Sequence, residues 1–216
     1  MPFAFPISFE LAGRRCVVIG SVPVREGKVD ALLAGGATEI LVVAKAPADR
    51  LDTLGGMYAV RVERRGWTPA DLDGASLAIA WAADQDERDR LGREARARGV
   101  LINVVDDISN CDWAMPSIVR RGELVVAISS GGASPSLTKK LRVELQERFG
   151  EEWAEVLVVL REVREETMPL LPDFAERAAR WSTALRLDEA AALIRSDGAD
   201  ELRTRLLARL LEGVAV

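Results

Sequence analysis

Five short, mostly apolar runs separated by stretches of helical character constrain this chain more than any other feature. They are RCVVIG (15–20), EILVVA (39–44), YAVRV (58–62), SLAIAW (76–81) and VLINVV (100–105). Most are apolar on consecutive positions, the signature of strands covered on both faces. Between them, 25–34 (REGKVDALLA) has helical character and is closed by Gly35-Gly36 in the usual C-terminal way. A short helix is expected near 48–54, a turn or helix at 68–72 with Thr68 before Pro69, and a helix over 85–98. Strands alternating with helices at this pitch predict an α/β protein with a doubly wound parallel sheet and right-handed crossovers. Ligands of such sheets bind beyond the carboxyl ends of the strands.

The pattern changes after Asp107. Residues 115–119 and the strand 124–128 are followed by a helix over 135–149, and from Glu151 the chain is rich in helix. Breaks fall at Met168-Pro169, Leu171-Pro172 and Asp197-Gly198. The stripes Trp153, Val156, Leu157, Leu160 and Leu202, Leu206, Leu207, Leu210 have the spacing of core-facing helix surfaces. The expected division is 1–113 for the sheet domain, 114–150 for a second region and 151–216 for a small helical domain.

A net charge of −5 argues against a nucleic-acid surface, and no apolar run approaches the roughly 20 residues of a membrane span. The opening MPFAFPISFELAGRR lacks the charged and apolar segments of a signal peptide, so a cytoplasmic location is expected. Two cysteines, Cys16 and Cys111, make neither a disulfide framework nor a zinc site. Histidine is absent, which removes the commonest acid/base near neutral pH and the commonest transition-metal ligand. Proton transfer must fall to Asp, Glu, Cys, Ser, Lys or solvent, and no resident metal site is expected.

Chemistry concentrates between Leu101 and Leu141. The last strand of the alternating series is cut off by Asp106 and Asp107. The run 124–128 ends in Ser129-Ser130-Gly131-Gly132-Ala133-Ser134-Pro135-Ser136, with Ser134 placed as an N-cap and Pro135 as a first helical residue. A hydroxyl-rich helix N-terminus attracts anions. The segment therefore combines a carboxylate at one strand end with an anion cradle at another.

NVVDD (103–107), CDWAMPSIV (111–119) and LVVAISSGGASPSL (124–137) together resemble the bifunctional precorrin-2 dehydrogenase / sirohydrochlorin ferrochelatase family, the N-terminal part of siroheme synthase. The resemblance runs from FELAGRRCVVIG (9–20) to the helical tail. It implies a Rossmann-like sheet, a middle dimerisation region with an interlocked homodimer, and a helical C-terminal domain. It also implies a polycarboxylate tetrapyrrole substrate, NAD-dependent oxidation of precorrin-2 to sirohydrochlorin, and insertion of Fe²⁺ as a substrate metal. Dehydrogenation moves a hydride and loses a proton, and chelation displaces pyrrole protons, so both need a base at the ring. Asp106 occupies the position of the family's aspartate and is expected to be that base, with Asp107 a solvated neighbour. Ser130 matches the family's pocket serine; Ser129, Gly131, Gly132 and Ser134 are expected to line the same cradle. Asn103 faces the cleft or satisfies backbone. Arg120, with Arg121, Lys139 and Lys140, supplies local positive charge for substrate carboxylates, and Cys111 is read as an inert thiol.

The dinucleotide loop departs from the family. A Rossmann loop wants G-x-G-x-x-G/A, and relatives carry three glycines, Val-Ala and an Arg-Lys pair. Aligned through Lys28 and the glycines at 35–36, this chain has Gly20, Ser21, Val22, Pro23, Val24, Arg25, Glu26, Gly27. Val22 places a branched side chain where a phosphate should meet bare backbone, and Pro23 removes an N–H. Arg25 is bulky but can meet a phosphate as a charge. The second strand ends Val43-Ala44-Lys45, with no acid for a ribose hydroxyl. The fourth ends Trp81-Ala82-Ala83-Asp84, where the family has Thr-Asp and where Trp81 can crowd the cleft. Two readings of the loop stand: a rebuilt NAD(P) site using Gly20, Ser21, Val22, Arg25, Ala44, Lys45 and Ala82, or a plain connection in a sheet that has lost the dinucleotide. The corresponding alternatives to the dehydrogenase are a chelatase without NAD and a non-catalytic tetrapyrrole-binding protein.

Overall fold

The computed structural model describes residues 5–20, 22–46, 51, 53–54 and 60–214, with backbone only over 22–26. The chain forms two compact units, Met1–Met115 and Pro116–Val216.

In the first unit, β1 (Arg15–Ile19), β2 (Glu39–Val43), β3 (Val60–Glu63), β4 (Leu77–Ala80) and β5 (Leu101–Val104) form one sheet in the order β3-β2-β1-β4-β5. Every pairing is parallel. The strands divide their side chains between two cores because consecutive residues point to opposite faces. Val17, Ile19, Leu41, Val43, Ala78, Ala80, Ile102 and Val104 pack on one side with Leu91 and Ala95 of α2 (Gln85–Ala97). Cys16, Val18, Ile40, Val42, Leu77 and Ile79 pack on the other with Val29 and Leu32 of α1 (Val22–Ala34). Burying one such branched side chain contributes about 1.5–3 kcal/mol, so β1, at the centre and apolar on both faces, anchors the unit. The doubly wound Rossmann-like architecture follows from this alternation.

Helix α1 begins at Val22, earlier than the start near Arg25 expected from the sequence. Pro23 falls in its first turn, where a missing N–H has no intrahelical partner to lose. Helix α2 starts as expected, with the Asp84 side chain accepting from the Glu87 N–H at 3.1 Å. The short helix expected over 48–54 falls mostly outside the described residues, as do Tyr58 and Ala59 at the start of the third apolar run.

In the second unit, β6 (Ser117–Arg121) and β7 (Leu124–Ile128) form an antiparallel hairpin. Gly122 opens its two-residue turn at φ 55°, a conformation glycine adopts without strain. Helix α3 (Pro135–Arg148) follows, with Ser134 as N-cap accepting from the Leu137 N–H at 3.2 Å and Pro135 as first residue. The helices α4 (Trp153–Thr167), α5 (Phe174–Ala184), α6 (Leu187–Ser196) and α7 (Ala199–Leu210) enclose the core of this unit. Trp153, Val156, Val159 and Val163 of α4 meet Leu202, Leu206 and Leu210 of α7 there, with Leu157, Leu160 and Leu207 partly buried beside them. Helix α3 has no buried residue, and its Leu137 and Val143 are 48% and 44% exposed. No described helix is long and apolar enough to cross a membrane.

Candidate functional site

The chain runs outward from β1 to β2 and β3, then crosses back to β4 and β5, so the switch point of the sheet lies between β1 and β4. A cleft of about 390 Å³ opens beyond the carboxyl ends of these strands, where α/β sheets of this kind bind ligands. Gly20, Ala44, Lys45 and Ala82, four of the residues expected at a dinucleotide, line it together. Ser21 lies outside the described residues, as do the side chains of Val22 and Arg25.

Gly20 has φ 123°, and a Cβ built on it would stand 2.4 Å from the carbonyl oxygen of Trp81. Strand β4 therefore turns so closely over the end of β1 that only glycine fits, whatever the cleft holds. Trp81 lines the cleft from that side. The opposite wall is made by Arg65, Gly66 and Trp67 from the loop after β3, together with Glu87 of α2. Sequence reasoning missed this wall, although two arginines and a tryptophan in the run RRGW are an unusual ending for a strand. The Trp67 indole N–H donates to the Glu87 carboxylate, and the Arg90 guanidinium lies 4.7 Å from the Trp67 ring centroid. Arg65 donates from both terminal nitrogens to Asp71 at 2.7 and 2.6 Å. The guanidinium in turn holds the Asp71 carboxyl below the usual carboxylate range.

On the same edge of the sheet, the Val105 N–H continues the ladder to the Ala80 carbonyl at 2.8 Å, and the chain then turns at Asp106. Asp106 has φ 64°, the single non-glycine residue of positive φ among those described. Left-handed backbone is tolerated by Asp better than by most residues, and where it persists it has to be held by its surroundings. The side chain is exposed, and its carboxylate accepts no hydrogen bond from the described residues. Lys28 of α1 is half-buried, its Nζ 3.7 Å from the Met115 sulfur. Burial pushes the Lys28 ammonium below the usual lysine range, and the nearby Asp106 carboxylate opposes that shift.

Asp107 is not the solvated neighbour expected. Its side chain is 8% exposed and accepts from Ser109, from Asn110 at 2.9 Å and from Gln85 at 3.0 Å, with Arg88 Nε 3.6 Å away. Those hydrogen bonds, Ser109 first and Asn110 next, hold its pKa down to about 2. Asp107 thus ties the end of β5 to α2 and leaves Asp106 to project alone. Asn103 is also occupied: its Nδ2 donates to the Trp113 carbonyl at 3.0 Å and reaches the Cys111 sulfur at 3.5 Å. Of its two expected roles it takes the backbone one. The Cys111 thiol donates to the Val104 carbonyl at 3.1 Å, and burial pushes its pKa up, so it is an inert packing group.

In the second unit, the bend between β7 and α3 closes on its own hydroxyls. Ser130 Oγ accepts from the Ser134 N–H at 3.1 Å, and Ser129 Oγ accepts from the Gly131 N–H at 3.1 Å. Gly131 and Gly132 sit at φ 60° and 85°. Arg120 is exposed on β6. Arg121 is not available to a substrate in the way expected. Its guanidinium donates to the carbonyls of Phe149 at 2.9 Å and Gln146 at 3.3 Å, binding the end of α3.

A model of a putative NAD(P)-binding family matches residues 7–117. The siroheme synthase of Chromobacterium violaceum is 32% identical over 195 residues, covering 90% of this chain and 41% of the relative. That of Azotobacter vinelandii is 32% identical over 213 residues, covering 97% of this chain and 45% of the relative. The chain thus spans less than half the length of the siroheme synthases it matches. Among solved structures, "SirC, precorrin-2 dehydrogenase" superposes with a TM-score of 0.64 at 22% identity, covering 97% of this chain and 98% of that one. That likeness extends the shared fold through the helical second unit. A cleft at the switch point, its glycine in place and the family match spanning the whole sheet, assigns this chain to the putative NAD(P)-binding family, with siroheme synthases among its relatives.

Proposed function

We propose that the chain is a precorrin-2 dehydrogenase, oxidising the tetrapyrrole to sirohydrochlorin with a dinucleotide held in the cleft of the first unit. The names of its relatives point to this substrate, and the observation that carries the reading is Asp106. It is an exposed carboxylate in left-handed backbone that accepts no hydrogen bond from the described residues, on the same sheet edge as the NAD(P)-type cleft. The residues present fit a dinucleotide. Trp67 and Trp81 line the cleft with apolar side chains, Lys45 adds positive charge at the rim, and the Gly20 requirement, set by the Trp81 carbonyl, is neutral on the point.

Held by the residues lining that cleft, NAD(P)⁺ would supply the hydride acceptor. The substrate then has a proton to lose, and Asp106 takes it: exposed and free of hydrogen bonds from the described residues, it presents its oxygens to a ring nitrogen or carbon. The left-handed turn aims it outward, while Asp107, locked to Gln85 and Asn110, fixes the backbone behind it. Lys28 is a cation within electrostatic reach of that carboxylate. The bend with Ser129, Ser130, Gly131, Gly132 and Ser134 and the exposed Arg120 are proposed contacts for the substrate's carboxylates. Insertion of Fe²⁺ into the product is the second activity proposed, with the same base taking the pyrrole protons. Assembly as a homodimer through α3 and the hairpin, and a cytoplasmic location, complete the reading.

The test is an anaerobic assay of precorrin-2 with NAD⁺ or NADP⁺, following the reduced dinucleotide, in wild type and Asp106→Asn. Loss of a general base lowers turnover about 10²–10⁴-fold. Unchanged turnover in Asp106→Asn removes the assignment of the base, and no turnover in wild type with either dinucleotide removes the dehydrogenase.

A further inference from the structure

The cleft also indicates which dinucleotide it takes. We infer that it selects a 2′-phosphorylated dinucleotide, NADP(H), over NAD(H), and that Lys45 is the specificity-determining residue; the inference rests on the dinucleotide reading above.

In sheets of this type, the residues just past the second strand face the ribose of the adenosine half. A carboxylate there accepts from a free 2′-hydroxyl, whereas a cation neutralises a 2′-phosphate. Past β2 this chain has Ala44 and Lys45, and the cleft is lined by both. Among the described residues, two acids are near enough to ask whether either replaces the missing acceptor. Glu63, at the end of β3, is held by Arg61 and lies 3.7 Å from Arg65 Nε, and it is not among the residues lining the cleft. Glu87 does line the cleft, but it accepts from the Trp67 indole and lies 3.4 Å from Arg90. Neither is free for a ribose hydroxyl.

The cations divide the opposite way. Arg65 has both terminal nitrogens committed to Asp71, a carboxylate only 6% exposed. Lys45 is exposed and has no carboxylate partner among the described residues. Its stem runs past Gly66, where an added Cβ would lie 3.7 Å from Lys45 Cε. Among the described residues, the rim offers an uncommitted ammonium and no uncommitted carboxylate, the pairing a dianionic phosphate requires and a neutral hydroxyl does not.

Calorimetric titration of the protein with NADP⁺, NAD⁺, adenosine 2′,5′-bisphosphate and 5′-AMP tests this without turnover. The expected result is NADP⁺ binding about tenfold or more tightly than NAD⁺, with the bisphosphate likewise ahead of 5′-AMP. Lys45→Asp, a surface change, is expected to abolish or invert the preference, and Lys45→Arg to keep it. Equal or tighter binding of NAD⁺ by wild type overturns the inference and leaves the dehydrogenase standing. A preference for NADP⁺ that survives Lys45→Asp overturns the role of Lys45. Binding of neither dinucleotide at millimolar concentration overturns both the inference and the reading beneath it.

Discussion

Asp106 and Asp107 are chemically identical neighbours given opposite tasks by one backbone turn. Asp106 is swung into left-handed conformation and exposed, while Asp107 is drawn into hydrogen bonds with Ser109, Asn110 and Gln85. A carboxyl held at about 2 in the fold, against about 4 in the unfolded chain, stabilises the fold above the unfolded value. That contribution fades as pH falls from about 4 toward about 2. Asp107→Asn is therefore expected to be less stable than wild type at neutral pH by about 1–3 kcal/mol. The difference should shrink as acid protonates the wild-type carboxyl. Thermal melts of both proteins between neutral pH and pH 2 check this, and a gap that stays constant with pH contradicts it. The sequence placed both acids at a strand end but could not separate them, because the partners of Asp107 come from α2 and from a later turn. Ser134 and Pro135 were readable for the opposite reason: an N-cap is decided by residues within one helical turn.

Elements show the same division between local and distant causes. The apolar runs became strands with shifts of about a residue, since a buried parallel strand has to be apolar on both faces. Helix α1 starts before the expected Arg25 because Pro23 is harmless in a first turn. The run RRGW marks the wall made by Trp67 without placing it, because its position depends on Glu87 and Arg90, a helix away. Helix α2 itself contains a glycine whose purpose only packing reveals. A Cβ on Gly92 would lie 2.5 Å from Oδ1 of Asn110, a residue 6% exposed and bonded to Asp89 and Asp107. Helix propensity alone makes Gly92→Ala stabilising by about 1 kcal/mol. The close approach reverses the sign: overpacking of this kind costs about 1–3 kcal/mol, and it also pushes Asn110 away from Asp107. Gly92→Ala is expected to lower the denaturant midpoint without changing the slope of the transition. A raised midpoint would show that Asn110 can move aside freely.

At the level of the whole molecule, the hairpin and α3 are the elements that keep apolar side chains in water. A two-stranded hairpin is marginal alone in water, and α3 contributes no buried residue to the second unit. Leu137, Val143 and Val125 of β7 are 48%, 44% and 43% exposed. In the proposed homodimer this surface meets its own copy, and two-fold symmetry makes every substitution count twice. Val143→Glu then buries two unpaired carboxylates per dimer, a loss of about 3 kcal/mol or more, roughly a hundredfold in Kd. Light scattering behind size exclusion is expected to place wild type at twice the 23.5 kDa of one chain and Val143→Glu at the monomer mass at micromolar concentration. A monomeric wild type removes the dimer. A variant that remains dimeric moves the interface away from α3. A variant that becomes monomeric yet keeps its helical signal shows that the four-helix core around Trp153 and Leu206 folds without the partner, and that the hairpin and α3 are the elements association completes.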